Sequence, residues 1–535
     1  MSERGSFFRK VLYGIAIAVL LIPLALLSRP ASLRDEGGKL ARLRNDPEHP
    51  ISQASLGQID PGSEAMRLAT LGLRGVAVNL LWEKANTYKM KEDWTNLTAT
   101  LEQLAKLQPN FITFWKYQAW NLTYNVSVEF DDYHDRYYYV RRGIEFLKEG
   151  EQYNQDNPHL LWDLGWFHGQ KIGRADEHVQ YRRLFKLDDD YHRDRPDRSQ
   201  DERDNWLVGK EWYLQGVDAV DNKGKSIDRK PPRLFFSSPA MSQMNYSEAI
   251  EEEGFFDKAQ RAWVRAEQEW EGFGDREIPH STGIVLKLGD QPRLEAEVAR
   301  LEGELDAFAP GTRDQVVAEK RAKLTDDERA ALDTPFENRT PAQIELAYHT
   351  QEKLEVTHRE VAEAVAKSHP EHANQAQQLA STLERVALKL RYTVNYKNDS
   401  NYDYWLTRAQ LEQTQNARDA REAMFRAARI FREGDLVTAK KVYEEGFAKW
   451  RLVYDEFPFM LDSGTATGDF MIDYFIRYRD VLDQLDEALD ERFPLWDVLE
   501  QFDLEQKFKD ELEQHRQRTG GGSDTSSPEN APDPA

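Results

Sequence analysis

The chain has 535 residues, no cysteine, and 71 Lys and Arg against 94 Asp and Glu, for a net charge of -23. The absence of thiols excludes disulfides, thiolate nucleophiles, zinc-cysteine sites and cysteine-ligated iron-sulfur clusters. The negative field repels nucleic-acid phosphates and no basic patch overrides it, so no nucleic-acid partner is expected.

Residues 1–10, MSERGSFFRK, carry Arg4, Arg9 and Lys10 and precede VLYGIAIAVLLIPLALL, residues 11–27, which hold no charge. At about 1.5 Å per residue this run is at the short end of what spans a bilayer core, and it predicts a transmembrane anchor with Pro23 as a kink. Arg29 and Pro30 stand where a signal-peptidase site needs small residues, which favours an uncleaved anchor. The short basic tail resists translocation, so the tail is placed in the cytoplasm and the body on the periplasmic or extracytoplasmic side. Residues 28–63, with Pro30, Pro47, Pro50 and Pro61, read as a tether.

From residue 64 onward apolar residues recur at three and four positions, with no sustained period-two run, and the fold class expected is all-α. The stretch 107–140 concentrates eleven aromatic side chains between Phe111 and Tyr139, where aromatics are 11% of the chain. Phe111, Trp115, Ala119, Leu122 and Val126 define one helical face, and Phe114, Tyr117, Tyr124 and Val128 a second. A helix apolar on two faces predicts an inner helix of a stack. The competing reading is a stacking platform for a sugar. Trp115, Trp120, Tyr124, Tyr133 and Tyr137 are the candidate binding residues, and the hydroxyls of 133–139 are the part best suited to face a groove.

The run 187–206, LDDDYHRDRPDRSQDERDNW, has eight acidic and four basic residues but lacks calcium-loop spacing, so a solvated connecting loop is expected. Residues 285–392 change composition. Leu294, Val298, Leu301, Leu305 and Phe308 form a narrow stripe, Thr340 and Pro341 open a further helix, and Leu379, Leu383, Val386 and Leu390 line another. This segment predicts an inserted charged helical hairpin arm. Within it Glu355 and His358 form one Glu-x-x-His pair near Glu345, His349 and Glu352. Carboxylate-bridged metal bundles need two such pairs, and His358 lies on the apolar stripe of Ala347, Leu354, Val361 and Val365, so it is read as a seam histidine. His369 and His372 flank Pro370 at a helix end and are read as capping residues.

Two later segments match in register. In EEGFFDKAQRAWVRAEQEW and REGDLVTAKKVYEEGFAKW, Gly254 aligns with Gly434, Ala259 with Ala439, Trp263 with Tyr443, Ala266 with Gly446 and Trp270 with Trp450. Together with Ala85, Tyr88, Leu97, Leu101, Leu104 and Pro109, these units resemble tetratricopeptide repeats. The prolines Pro109 and Pro158 are spaced more widely than the ~34-residue period, and Arg451 stands where the last unit would carry proline. The layout of an N-terminal anchor followed by QPNFITFWKYQAWNLTYNVSVE and LLWDLGWFHGQKIG also resembles N-terminally anchored helical-repeat proteins of planctomycete-type bacteria. These resemblances imply an α-solenoid that binds a protein or peptide along its repeats.

DSGTATGDF, residues 462–470, lacks the P-loop lysine and is read as a loop. Met471, Tyr474, Phe475, Tyr478, Leu482, Leu485 and Leu489 line a broad face of a terminal helix, with another starting at Pro494, and residues 519–535 are disordered by composition. The expected organisation is a tail at 1–10, an anchor at 11–27, a tether at 28–63, repeats at 64–284, the arm at 285–392, a repeat with capping helices at 393–518, and the tail at 519–535. No G-x-S-x-G, H-E-x-x-H or G-x-G-x-x-G element occurs in a supporting context, so neither catalysis nor a cofactor or metal is expected. The expected function is a membrane-anchored scaffold for protein or peptide partners in the cell envelope. The alternative is a carbohydrate-binding or cell-wall-modifying protein using the belt at 111–139.

Overall fold

The computed structural model describes residues 74–461 and 468–501, together with Val19 and Ile22. Apart from Val19 and Ile22, the segment 11–27 expected as an anchor lies outside the described residues, as do the expected tether, residues 462–467 and residues 502–535, and among those described no helix is long and apolar enough to cross a membrane. The described chain is all-α, with one two-stranded ladder, and it forms two compact units that divide at Glu253 and Gly254.

The first unit begins with helices α1 (Arg74–Met90) and α2 (Trp94–Leu107), packed on each other through Val78, Ala85, Leu97, Leu101 and Leu104. Asp93 caps α2 by accepting from the Asn96 amide, and Pro109 stops the chain after it. Helix α3 (Ile112–Trp120) runs on into a π-helical turn, Asn121–Val126, and packs on α4 (Tyr133–Tyr153). Helix α5 (Pro158–Trp166) repeats this arrangement with a second π-helical turn, Phe167–Ile172. Asn157 caps α5 and Pro158 occupies its first turn, where the missing amide costs nothing. Helices α6 (His178–Leu187), α7 (Asn205–Asp221) and α8 (Pro232–Glu252) complete the unit, with α7 packed on both α5 and α8.

The stretch 111–128 therefore differs from one uniform helix. In a π turn each hydrogen bond spans one extra residue, so the faces slip out of the 3.6-residue register. Trp115, Ala119, Leu122 and Val126 are buried as one face, whereas Phe111 caps the helix from outside and Val128 ends exposed. The loop 188–204 is mostly solvent-exposed, as expected of a connecting loop, but it is tied inward near both ends: Asp188 accepts from the Tyr191 amide and from Arg141, and Tyr191, His192 and Asp204 are buried.

The second unit opens with α9 (Phe256–Asp275) and the ladder of β1 (Ile278–Pro279) and β2 (Val285–Leu286), which pair antiparallel with Ile278 opposite Leu286. The segment expected to be a hairpin arm holds more than two helices. It contains α10 (Gln291–Ala307), α11 (Thr312–Ala322), α12 (Asp326–Asp333), α13 (Pro341–Leu354), α14 (His358–Ser368) and α15 (Ala373–Asp399). Leu301, Leu305, Val361, Val365, Ala376 and Leu383 form a shared core of α10, α14 and α15. Thr325, Thr340 and Thr357 each close a capping box, so three helix starts follow from side chains local to each turn. The box at Thr357 also separates Glu355 from His358: α13 ends at Leu354, and the two residues do not share a helix.

Helices α16 (Tyr402–Glu412), α17 (Gln415–Arg432), α18 (Leu436–Glu456), α19 (Gly468–Leu485) and α20 (Trp496–Gln501) share the largest core, around Tyr443, Phe447, Trp450, Phe475 and Phe493. Leu489 joins this core after α19 has ended at Leu485, and the last described helix starts at Trp496, two residues beyond Pro494. The aligned segments fall on α9 and α18. Ala259, Trp263, Ala266 and Trp270 are buried, as are Ala439, Tyr443, Gly446 and Trp450. The partners differ: α18 packs on α17, directly before it, whereas α9 packs on α16, which follows the insertion.

Candidate functional site

The aromatic belt splits into two parts. Trp115 is 1% exposed, wedged against Phe146 and Tyr153, and its indole N–H donates to the Pro109 carbonyl at 2.8 Å. Tyr137 is also buried, and its hydroxyl donates to Asp188 at 3.1 Å, where burial and the facing carboxylate raise its pKa. Both are core residues of the α3–α4 pair and offer nothing to a ligand.

Trp120 and Tyr133 lie outward, at 42% and 38% exposed. Tyr133 stacks on the neighbouring His134. Trp120 joins a different group, which residues 111–139 alone do not contain. Its ring stacks on Tyr124 at 5.9 Å, and Tyr124 in turn meets Trp166 at 5.9 Å and Phe167 at 6.1 Å. Trp120 is the last residue of α3 and Trp166 the last of α5, so each immediately precedes a π-helical turn. Each wide turn thus follows a tryptophan, and Tyr124, from the first turn, lies between the two indoles.

A cation completes this ledge. Lys171, in the second π turn, holds its ammonium 4.6 Å from the centre of the Tyr124 ring. Its side chain is buried at 9% exposure and no described carboxylate lies within ion-pair distance of it; Glu177 and Asp176 act on it from further off, and burial outweighs them to lower its pKa. The same burial raises the Tyr124 hydroxyl to about 12, so Tyr124 stays neutral and its ring remains the surface on which Lys171 rests. Glu177, which could have paired with Lys171, is engaged by Arg136, whose Nε donates to the Phe130 carbonyl. The ledge is therefore aromatic, half-exposed and backed by a positive charge that no described carboxylate contacts directly.

Behind it lies a buried polar network. His168 is fully enclosed, its Nδ1–H donating to the Leu164 carbonyl at 2.7 Å and its Nε2 accepting from the Tyr191 hydroxyl at 2.7 Å. Burial pushes its pKa down to about 3, which fixes the neutral form. The Asn205 amide donates to the His168 carbonyl, Arg182 donates to Asn205, Asp204 and Glu253, and Lys186 supports Asp204 and Glu253. Every charge here is paired, so the network orders α6 and α7 behind the second π turn.

Of the histidines singled out in the sequence, His369 and His372 stand with ring centres 6.5 Å apart, and no described contact joins them to His349 or His358. His358 faces Glu302 at 3.8 Å, His349 lies near Glu352, and the His369 backbone N–H donates to the Val365 carbonyl. Among the described residues no group of three or more His, Asp or Glu could hold a metal ion. Trp166 and Lys171 were missed by reading 111–139 alone. The sequence offered only a weak signal, since Trp120 is eleventh in NFITFWKYQAWNLTY and Trp166 tenth in NPHLLWDLGWFHGQK, one position out of step. No protein-family model matches the chain, and none of the curated proteins matches it either.

Proposed function

We propose that the chain is a membrane-anchored helical-repeat scaffold that holds a protein or peptide partner in the cell envelope. The anchor at 11–27 and the matched units ending in Trp270 and Trp450 support the tethered, tetratricopeptide-like part of this reading. One observation carries the binding part: Trp120, Tyr124 and Trp166 stand in series at the surface of the first unit, over a Lys171 that no described carboxylate contacts directly. Exposed tryptophan and half-buried tyrosine next to a buried cation suit a partner segment with an aromatic anchor and a carboxylate.

The carbohydrate reading rests on the same tryptophans. Sugar platforms present ring faces to solvent, but Trp120 and Tyr124 lie nearly parallel, 19° apart, and turn faces toward each other. Affinity capture from a membrane extract with the full-length chain in nanodiscs, compared with a Trp120→Ala, Trp166→Ala double variant, tests the proposal. A specific protein retained by the parent and lost by the variant is the expected result. Retention of cell-wall glycan with no specific protein overturns it in favour of the carbohydrate reading.

A further inference from the structure

Lys116, on α3, and Lys230, two residues ahead of α8, reach the same carboxylate. Lys116 Nζ stands 2.8 Å from one oxygen of Asp163, and Lys230 Nζ stands 3.5 Å from the other. Asp163, on α5, is 8% exposed, and no second described carboxylate lies within ion-pair distance of either ammonium. Two positive charges therefore share one negative charge where water screens them poorly, and one of the two is in surplus.

The surroundings decide which. Lys116 keeps the shorter contact, and its side chain is 38% exposed, so water solvates its charge. The Lys230 side chain is 13% exposed, and its Nζ lies 3.2 Å from the centre of the Trp162 ring. The indole is held from behind, its N–H donating to the Ser238 hydroxyl at 2.9 Å, which in turn donates to the Leu234 carbonyl. Burial, with the Lys116 charge added and Asp163 opposing, lowers the Lys230 pKa to about 8. The other titratable neighbours add no charge at neutral pH. Burial and the two lysines lower the pKa of His159, whose Nε2 faces Asp228 at 3.5 Å, and burial raises that of Tyr213, whose ring meets Trp162. Loss of a proton from Lys230 leaves one cation on one carboxylate, so the free amine is the balanced state of the cluster.

We infer that Lys230 is a modification site, the amine that takes an acyl group from an activated donor of the acyl-phosphate class. The amine nitrogen bonds to the acyl carbon, the bond from that carbon to the phosphate oxygen breaks, and the amine proton leaves with the phosphate. The amide formed is neutral, so Lys116 and Asp163 remain a balanced pair. The inference does not depend on the aromatic ledge or on a partner protein.

Treatment of the full-length chain in detergent with acetyl phosphate, with acetyl-lysine quantified site by site by peptide mass spectrometry, tests it. At pH 7.5 Lys230 is expected to be acetylated at least tenfold faster than Lys223 and Lys225 of the same segment, with a rate that levels off above about pH 9 where theirs still climb. Lys116→Met, at a partly exposed position, gives Asp163 to Lys230 alone; it should slow acetylation of Lys230 at pH 7.5 at least threefold and move the midpoint of its pH profile upward. Should that variant fail to fold, the pH profile of the parent chain decides. Acetylation of Lys230 no faster than of Lys223 and Lys225, a profile that climbs with theirs, or an unchanged rate and midpoint in the folded variant each overturns the inference.

Discussion

Gly254 and Gly434 adopt the same left-handed backbone, at φ +87° and +88°, each just ahead of a helix whose buried face follows the same register. Their surroundings differ. A Cβ at Gly434 meets nothing within 4 Å, whereas one at Gly254 stands 2.8 Å from the Phe425 ring. Gly434→Ala therefore costs backbone strain alone, about 1–2 kcal/mol, and Gly254→Ala costs more because Phe425 must also move. Urea unfolding followed by hydrogen exchange in helices α17 and α18 measures both. Equal losses would show that the contact with Phe425 contributes nothing.

Trp115 and Trp120, five residues apart, are expected to separate stability from binding. Trp115→Ala removes a fully buried indole and its bond to Pro109, and should cost about 3–5 kcal/mol. Trp120→Ala changes a half-exposed ring and should shift stability by less than about 1 kcal/mol while weakening partner capture. Thermal denaturation alongside the capture assay checks the pair.

Acid should loosen the first unit through His168 and His192. Burial holds their folded pKa values down to about 3 and about 4, against the ordinary 6.5 of an exposed imidazole. Unfolding therefore takes up protons as pH falls below about 6.5. Stability present above that pH is lost progressively toward about 4, at up to about 1.4 kcal/mol per pH unit for each histidine. Hydrogen exchange of helices α5 and α6 between pH 7 and pH 5, corrected for intrinsic rates, should show this loss. A His168→Gln, His192→Gln double variant should flatten the pH dependence although it begins less stable.

Arg182 is buried with Asp204, which is 1% exposed. Arg182→Met leaves that carboxylate with Lys186 as its one described cation and should destabilise the first unit by about 3–5 kcal/mol. Lys186→Met leaves Arg182 in place and should cost about 1 kcal/mol or less. Chemical denaturation of the two single variants reads the difference.

Local patterns made much of the helical architecture legible. The caps at Asp93, Asn157, Asp204 and Thr340 are decided by a side chain and an amide two or three residues on, so each is readable from a few letters. The register joining Gly254 with Gly434 and Trp270 with Trp450 was equally plain, because burial on one helical face repeats at fixed spacing. The π-helical turns were not, since nothing in NLTYNV or FHGQKI marks a hydrogen bond that spans one residue more. The break between Glu355 and His358 was readable in Thr357 and Glu360, yet the apolar spacing running through it suggested one helix.

The sequence by itself determined the all-α class, helix starts such as that at Thr340, the uncharged run at 11–27 and the apolar positions that share a face in α9 and α18, because each depends on neighbours within a turn or two. Only the tertiary structure decided which aromatics remain at the surface. Trp115 is buried by Phe146 and Tyr153, and Trp120 is joined to Trp166 through Tyr124. Only it placed Lys116 and Lys230 on the one carboxylate of Asp163. These contacts link residues tens of positions apart, and a side chain's exposure is set by whatever the rest of the chain packs against it.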